Sequence, residues 1–137
     1  MIDVVTRSPV KREDGRVPDK ATILCVDEDA RILSLRAALL SIAGYEVVTA
    51  ADTEVALQLL ASRHIDLVVT EYIQTSGGWQ EFAGALKVHK PEVPILLYTA
   101  LPEPPEGFRH ADRLLAKGMN PSEFLSEIAD LIAKSRG

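Results

Sequence analysis

The chain has 137 residues, of which 47% are apolar and 26% are charged, so its composition fits one folded globular domain and excludes a wholly disordered chain. Its net charge of −5 disfavours a broad basic surface, and we expect no nucleic-acid binding by this chain alone. A single cysteine excludes an intrachain disulfide framework, and no apolar run approaches the roughly 20 residues of a membrane span. These features predict a cytoplasmic domain without membrane contact.

Residues 1–20 differ in character from the rest of the chain. Charges of both signs are mixed there with Pro9, Gly15 and Pro18, which interrupt any regular period. We therefore predict a flexible N-terminal tail over residues 1–20 and a folded domain over residues 21–137.

From Ala21 onward, short apolar runs rich in β-branched residues alternate with longer segments of helical spacing. The five runs predict strands at Thr22–Val26, Val47–Thr49, Ile65–Thr70, Val93–Tyr98 and Leu114–Ala116. Continuously apolar strands separated by amphipathic helices are typical of a parallel sheet covered on both faces. The pattern predicts an α/β fold with a doubly wound five-stranded sheet of the flavodoxin-like type.

The helical segments carry recognisable boundaries. The apolar positions of the first helix are Ile32, Leu35, Leu39 and Ile42, which lie near one face, and Gly44 ends it. Asp52 and Asn120 are predicted N-caps of the second and the last helix. Few positions separate the fourth strand from the fifth, and Pro102, Pro104 and Pro105 fall among them. The fourth crossover helix is therefore predicted to be shortened or missing.

Polar residues follow four of the strands, and the carboxyl ends of parallel strands meet at one edge of the sheet. They are Asp27 and Glu28 after the first strand, Glu71 after the third, Thr99 and Ala100 after the fourth, and Lys117 after the fifth. Crowded carboxylates suit a hard cation such as Mg²⁺, while a lysine and a hydroxyl suit an anionic phosphoryl group. The alternative is that Asp27 or Asp29 simply caps the first helix.

On these motifs, the segment from Ala21 to Lys134 resembles the receiver domain of two-component response regulators. The runs that carry the resemblance are Ile23–Asp29, Asp66–Glu71, Val93–Ala100, Leu114–Lys117 and Asn120–Phe124. The resemblance implies the strand order 2-1-3-4-5, an Mg²⁺ cofactor and a phosphoryl-donating histidine kinase as partner. It also implies residue roles. Asp27 and Glu28 would be the acidic pair, Ile73 would offer a backbone carbonyl to the metal, Thr99 with Ala100 would form the switch position, and Lys117 would bind phosphate.

The chain departs from that family at the phosphoacceptor. Glu71 stands where the family has its phosphorylated aspartate, and the nearest aspartate, Asp66, opens the same strand at the opposite end of the sheet. Glutamate adds a methylene, and phosphoryl transfer depends on positioning, so we predict little or no phosphorylation. Glu71 either imitates the phosphorylated state in part, with one negative charge, or leaves the site inert.

Three functions compete at this point. The leading interpretation is a stand-alone, phosphorylation-independent receiver that acts through protein contacts with a histidine kinase or another signalling protein. On this interpretation the chain is not an enzyme, and a homodimer is one of its open alternatives. The second is an ordinary Mg²⁺-dependent phosphoacceptor. The third is a flavodoxin-like domain that binds a small molecule or acts as an enzyme, which the negative charge of Asp27, Glu28 and Asp29 disfavours, since it would repel a phosphate group. No DNA-binding output is expected within this chain, because its last predicted helix ends near Lys134.

Overall fold

Five parallel strands form one sheet in the computed structural model, which describes residues 20–73, 78–100 and 110–136. The strands are β1 (Thr22–Val26), β2 (Glu46–Ala50), β3 (Leu67–Glu71), β4 (Ile95–Thr99) and β5 (Arg113–Ala116). Their order across the sheet is β2-β1-β3-β4-β5, and every neighbouring pair is parallel. The predicted sheet is confirmed, with small shifts in the strand ends.

The described helices are α1 (Ala30–Ile42), α2 (Thr53–Ser62), α3 (Gly78–His89) and α4 (Pro121–Arg136). The predicted caps are confirmed: Asp52 Oδ1 accepts from the Val55 amide at 2.8 Å, and Asn120 Oδ1 accepts from the Ser122 amide at 2.8 Å. The predicted shortening of the crossover between β4 and β5 concerns residues 101–109, which lie outside the described ranges, as does most of the predicted tail. Within those ranges, no helix has both the length and the apolar character of a bilayer-spanning segment.

The core has two halves because the side chains of a strand alternate between the two faces of the sheet. One half packs β-strand residues against α2 and α3, and its members include Leu24, Val26, Val68, Ile95, Leu97, Leu60, Trp79, Phe82 and Leu86. The other packs the alternate residues against α1 and α4, and its members include Ile23, Cys25, Leu67, Val69, Leu96, Leu33, Leu40, Phe124 and Ile128. Burial of both faces explains why the central strands read as unbroken apolar runs.

The buried face of α1 differs from the one that the apolar spacing indicates. Leu35 and Ile42 are 72% and 66% exposed, whereas Leu33, Arg36 and Leu40 are buried. Asp29 marks the start of this helix, because its side chain accepts from the Arg31 amide at 2.9 Å. Of the predicted apolar face, Leu39 packs at the edge of the core and Ile32 is half-buried, whereas Leu35 and Ile42 face solvent. The charged Arg36 is buried instead.

Asp66 anchors the edge of the sheet opposite the strand carboxyl ends. Its Oδ2 accepts from the Thr22 amide at 2.8 Å, and its Oδ1 lies 3.0 Å from His64 Nε2 and 3.4 Å from an Arg136 guanidinium nitrogen. Burial opposes ionisation, but the Thr22 hydrogen bond and the His64 and Arg136 contacts prevail and lower the pKa of the Asp66 carboxyl. This position confirms that Asp66 is far from the carboxyl ends and is no substitute for Glu71.

A pH-dependent loss of stability is expected on replacing Asp66 with asparagine. A carboxyl whose pKa is lower in the folded than in the unfolded state stabilises the fold above its unfolded pKa, and that stabilisation is lost as the pH falls through the folded pKa. The Asp66→Asn variant should therefore lose about 1–2 kcal/mol of unfolding free energy at neutral pH and much less near pH 3. Urea unfolding at both pH values measures the difference.

The matched control for this experiment is Glu92→Gln, which changes an exposed carboxylate nearby. We expect it to alter the unfolding free energy by less than about 0.5 kcal/mol at either pH. If Asp66→Asn lost the same amount of unfolding free energy at both pH values, an ionisation-dependent role for Asp66 would be contradicted.

Candidate functional site

The side chains predicted from the strand ends meet at one edge of the sheet. Val26 pairs with Thr70. Asp27, which follows β1, therefore lies beside Glu71, which ends β3. Thr99 ends β4 opposite Ala116, which places Lys117 beside it. The predicted convergence therefore holds for these four residues, and it follows from the parallel register of the sheet.

Glu71 is held on both sides of its carboxylate. Oε2 accepts from the Glu28 amide at 3.0 Å, and Oε1 accepts from Lys117 Nζ at 3.3 Å. Its side chain is only 17% exposed. Burial raises the pKa of the Glu71 carboxyl most, the Glu28 amide opposes it, the neighbouring Asp27 side chain raises the pKa further, and Lys117 opposes the rise. Glu71 thus brings a carboxylate to the lysine that the resemblance assigns to phosphate binding.

Lys117 and Thr99 are joined through the backbone. The Lys117 amide donates to the Thr99 carbonyl at 2.8 Å, and this hydrogen bond positions the backbone of Lys117 next to Thr99. Thr99 is 5% exposed, and Ala100 follows it as an exposed residue. Ile73 lies two residues beyond β3 with its side chain buried among the residues that contact α2 and α3. The structure therefore keeps each predicted switch and phosphate-binding residue at this edge or next to it.

Asp27 is fully buried and is engaged by protein donors through both oxygens. Oδ1 accepts from the Asp29 amide at 2.8 Å, and Oδ2 lies 3.2 Å from an Arg36 guanidinium nitrogen. Of the two candidate caps, Asp29 is the residue that caps α1. Asp27 instead belongs to the site, facing Glu71 and Arg36.

Arg36 is the member of this site that the sequence reasoning missed. Its side chain is 7% exposed, and its guanidinium carbon lies 4.2 Å from the ring centre of Tyr98. Tyr98 in turn makes an edge-to-face contact with Phe124 of α4, with ring centres 5.3 Å apart. The sequence does contain a signal for its burial, because Leu33, Arg36 and Leu40 are spaced to lie on one face of a helix. A charged residue within such a stripe is nevertheless easily assigned to the solvent side.

The residues at this edge fit Mg²⁺ in donor type but not in arrangement. Carboxylate oxygens are its preferred ligands, yet both oxygens of Asp27 and both of Glu71 accept from protein donors, two of which are cations. Across the described ranges, no three aspartate, glutamate, histidine or cysteine side chains are grouped as a metal site requires. The assignment of Asp27, Glu28, Glu71 and Ile73 as metal ligands therefore stays a prediction from the resemblance.

Comparison with known proteins gives the same family as the motifs. The response regulator receiver domain matches residues 23–129 of this chain. The chain is 31% identical over 121 residues to a probable transcriptional regulator, ycf27, from Cyanophora paradoxa, covering 85% of this chain and 50% of the relative. It is 28% identical over 120 residues to the phosphate regulon transcriptional regulatory protein PhoB from Pseudomonas aeruginosa, covering 83% and 52%. The chain thus spans about half the length of these relatives.

Solved structures of similar proteins have the same fold. A receiver domain protein (CheY-like) from Methanospirillum hungatei superposes with a TM-score of 0.79 at 22% identity, covering 86% of this chain and 98% of the other. The response regulator TrrA from Thermotoga maritima, solved in complex with Mg²⁺–BeF, gives a TM-score of 0.74 at 31% identity, covering 81% and 98%. The first shows the fold alone, and the second also supports the family.

Proposed function

Because the chain belongs to the response regulator receiver family, we propose that it is an atypical receiver, in which Glu71 replaces the phosphorylated aspartate and signalling proceeds through protein contacts without phosphorylation. The observation that carries this proposal is the contact of Glu71 Oε1 with Lys117 Nζ at 3.3 Å. The Glu71 carboxylate thus lies next to the lysine that would otherwise bind a phosphoryl group.

Geometry argues against phosphoryl transfer to Glu71. A nucleophilic oxygen must approach phosphorus in line, and a displacement of about 1 Å costs on the order of a hundredfold in rate. The extra methylene moves the carboxylate outward, and its two oxygens are occupied by the Glu28 amide and Lys117. An incoming phosphoryl group would need to displace both donors and share the space with Asp27.

The expected partners follow from the family and from the charge of the chain. Receivers are signalling modules that interact with histidine kinases and other signalling proteins, and we propose a partner of that kind here. The two relatives are named transcriptional regulators, and this chain matches about half of each. With a net charge of −5, this chain is proposed to contact protein and not DNA.

One observation favours the alternative of an ordinary phosphoacceptor receiver. Asp27, Thr99 and Lys117 stand at the same edge, as the family's chemistry would require. In that case Glu71 or a neighbouring carboxylate would accept a phosphoryl group in the presence of Mg²⁺.

Exposure to acetyl phosphate and Mg²⁺ separates the two candidates. In the reaction, a carboxylate oxygen attacks phosphorus and acetate leaves, so a phosphorylated chain gains the mass of one phosphoryl group. We expect no gain for the natural protein, because its carboxylate is displaced by one methylene. Glu71→Asp restores the shorter side chain, so a gain confined to that variant would assign the block to Glu71. Intact-mass spectrometry gives the mass, and amide NMR shifts at Thr99 and Lys117 locate the change.

Two controls make the result interpretable. Glu71→Gln removes the acceptor while keeping the side-chain length, and it should remain silent. The Thermotoga maritima protein, whose structure holds Mg²⁺–BeF, is the positive control for beryllofluoride-induced shifts under the same conditions. A phosphoryl gain by the natural protein would overturn the proposal and favour the ordinary receiver.

A further inference from the structure

Arg36 and Asp27 form an ion pair inside the protein. The guanidinium nitrogen lies 3.2 Å from Asp27 Oδ2, and the two side chains are 7% and 0% exposed. The other Asp27 oxygen accepts from the Asp29 amide at 2.8 Å. A buried carboxylate is very unfavourable unless a cation or hydrogen-bond donors compensate it, and Asp27 has both from its own chain.

The aromatic contacts hold the guanidinium in place. Its carbon lies 4.2 Å from the centre of the Tyr98 ring, which itself packs against Phe124 with ring centres 5.3 Å apart. Arginine remains protonated throughout the ordinary pH range, so the positive charge is permanent. α1, β4 and α4 therefore keep a fixed cation beside the Asp27 carboxylate.

We propose that Arg36 is the resident counter-ion of Asp27 and takes the place of a divalent cation at this edge, so that the site keeps its folded arrangement without metal. A metal ion reaching Asp27 Oδ2 would have to displace the guanidinium and leave a second positive charge buried beside it. Lys117 acts in the same direction on Glu71, at 3.3 Å from Oε1. The inference depends on these contacts and not on whether Glu71 accepts a phosphoryl group.

Thermal unfolding with and without Mg²⁺ tests this role. At about 10 mM Mg²⁺, compared with KCl of equal ionic strength, we expect the melting temperature of the natural protein to change by less than about 1 °C. In Arg36→Met, which keeps an apolar stem without the charge, Mg²⁺ should raise the melting temperature by several degrees, because Asp27 is then free to bind it. A role confined to packing would not produce a response to Mg²⁺.

Two further variants identify the responsible group. Arg36→Lys keeps the positive charge and should stay unresponsive to Mg²⁺. Asp27→Asn/Arg36→Met lacks both charges and should lose the response seen in the single variant. If Arg36→Met is unfolded without metal, recovery of cooperative unfolding on adding Mg²⁺ is the expected result, and the double variant should not recover in this way.

Three results would overturn the inference: a rise of several degrees with Mg²⁺ in the natural protein, no Mg²⁺ response in Arg36→Met, or an equal response in Asp27→Asn/Arg36→Met. None of them bears on phosphorylation, which the mass measurement on the natural protein decides separately. A natural protein that binds Mg²⁺ but gains no phosphoryl group would refute the role of Arg36 and leave the proposed function standing.

Discussion

Replacing Asp27 with alanine is expected to lower the free energy of unfolding by about 3–5 kcal/mol, because it leaves the Arg36 guanidinium buried without its partner. The Arg36 side chain is only 7% exposed, so water does little to replace the lost carboxylate. The Asp29 amide also loses its acceptor at 2.8 Å. Urea unfolding followed by circular dichroism measures the loss.

A surface ion pair serves as the control for this prediction. Arg63 lies 3.2 Å from Glu46, and both side chains are about half exposed. Arg63→Ala should cost no more than about 1 kcal/mol, since water screens the pair and solvates the remaining partner. An Asp27→Ala variant as stable as the parent would show that repulsion between Asp27 and Glu71 outweighs the attraction of Arg36.

Asp27→Asn/Arg36→Met separates the ion pair from the burial of its members. Removing both charges leaves no uncompensated ion, so the double variant should be closer in stability to the parent than Asp27→Ala is. A cycle completed with the two single variants measures the coupling between the charges.

Replacing Trp79 with alanine is expected to cost about 3–5 kcal/mol of unfolding free energy. Trp79 is 2% exposed and is the bulkiest of the fully buried side chains in the described ranges. It lies in the first turn of α3 and belongs to the core half that contains Phe82 and Leu86. Truncation removes apolar contacts and leaves a cavity that the surrounding backbone fills only in part.

The measurement for this prediction is urea unfolding followed by far-ultraviolet circular dichroism, because Trp79 is the only tryptophan and its fluorescence disappears with it. Val88→Ala on the same helix is the control. Val88 is 79% exposed, so its truncation should change stability by less than about 0.5 kcal/mol. A loss of only about 1 kcal/mol for Trp79→Ala would mean that the core closes around the smaller side chain.

The local pattern of residues was sufficient for much of the fold. The strands were predictable because burial on both faces demands unbroken apolar runs, and the caps at Asp52 and Asn120 were predictable because a helix start needs a side-chain acceptor. The edge that carries Glu71, Thr99 and Lys117 followed from the rule that the carboxyl ends of parallel strands coincide. Each of these conclusions depends on neighbours in the chain or on a general property of parallel sheets.

The inward face of α1 could not be predicted from the chain in the same way. Leu35 and Ile42 match an apolar stripe as well as Leu33 and Leu40 do, and only packing against the sheet and α4 selects between them. That choice turns Arg36 inward, towards Asp27 on one side and Tyr98 on the other.

The sequence by itself therefore determined the five strands and the edge of the sheet at which Asp27, Glu71, Thr99 and Lys117 meet. Tertiary structure alone decided which cation compensates the charge of the Asp27 carboxylate, namely Arg36. The reason is physical: the charge on Asp27 is compensated by a residue on a neighbouring helix, and that partner is set by how the helix packs and not by any local sequence rule.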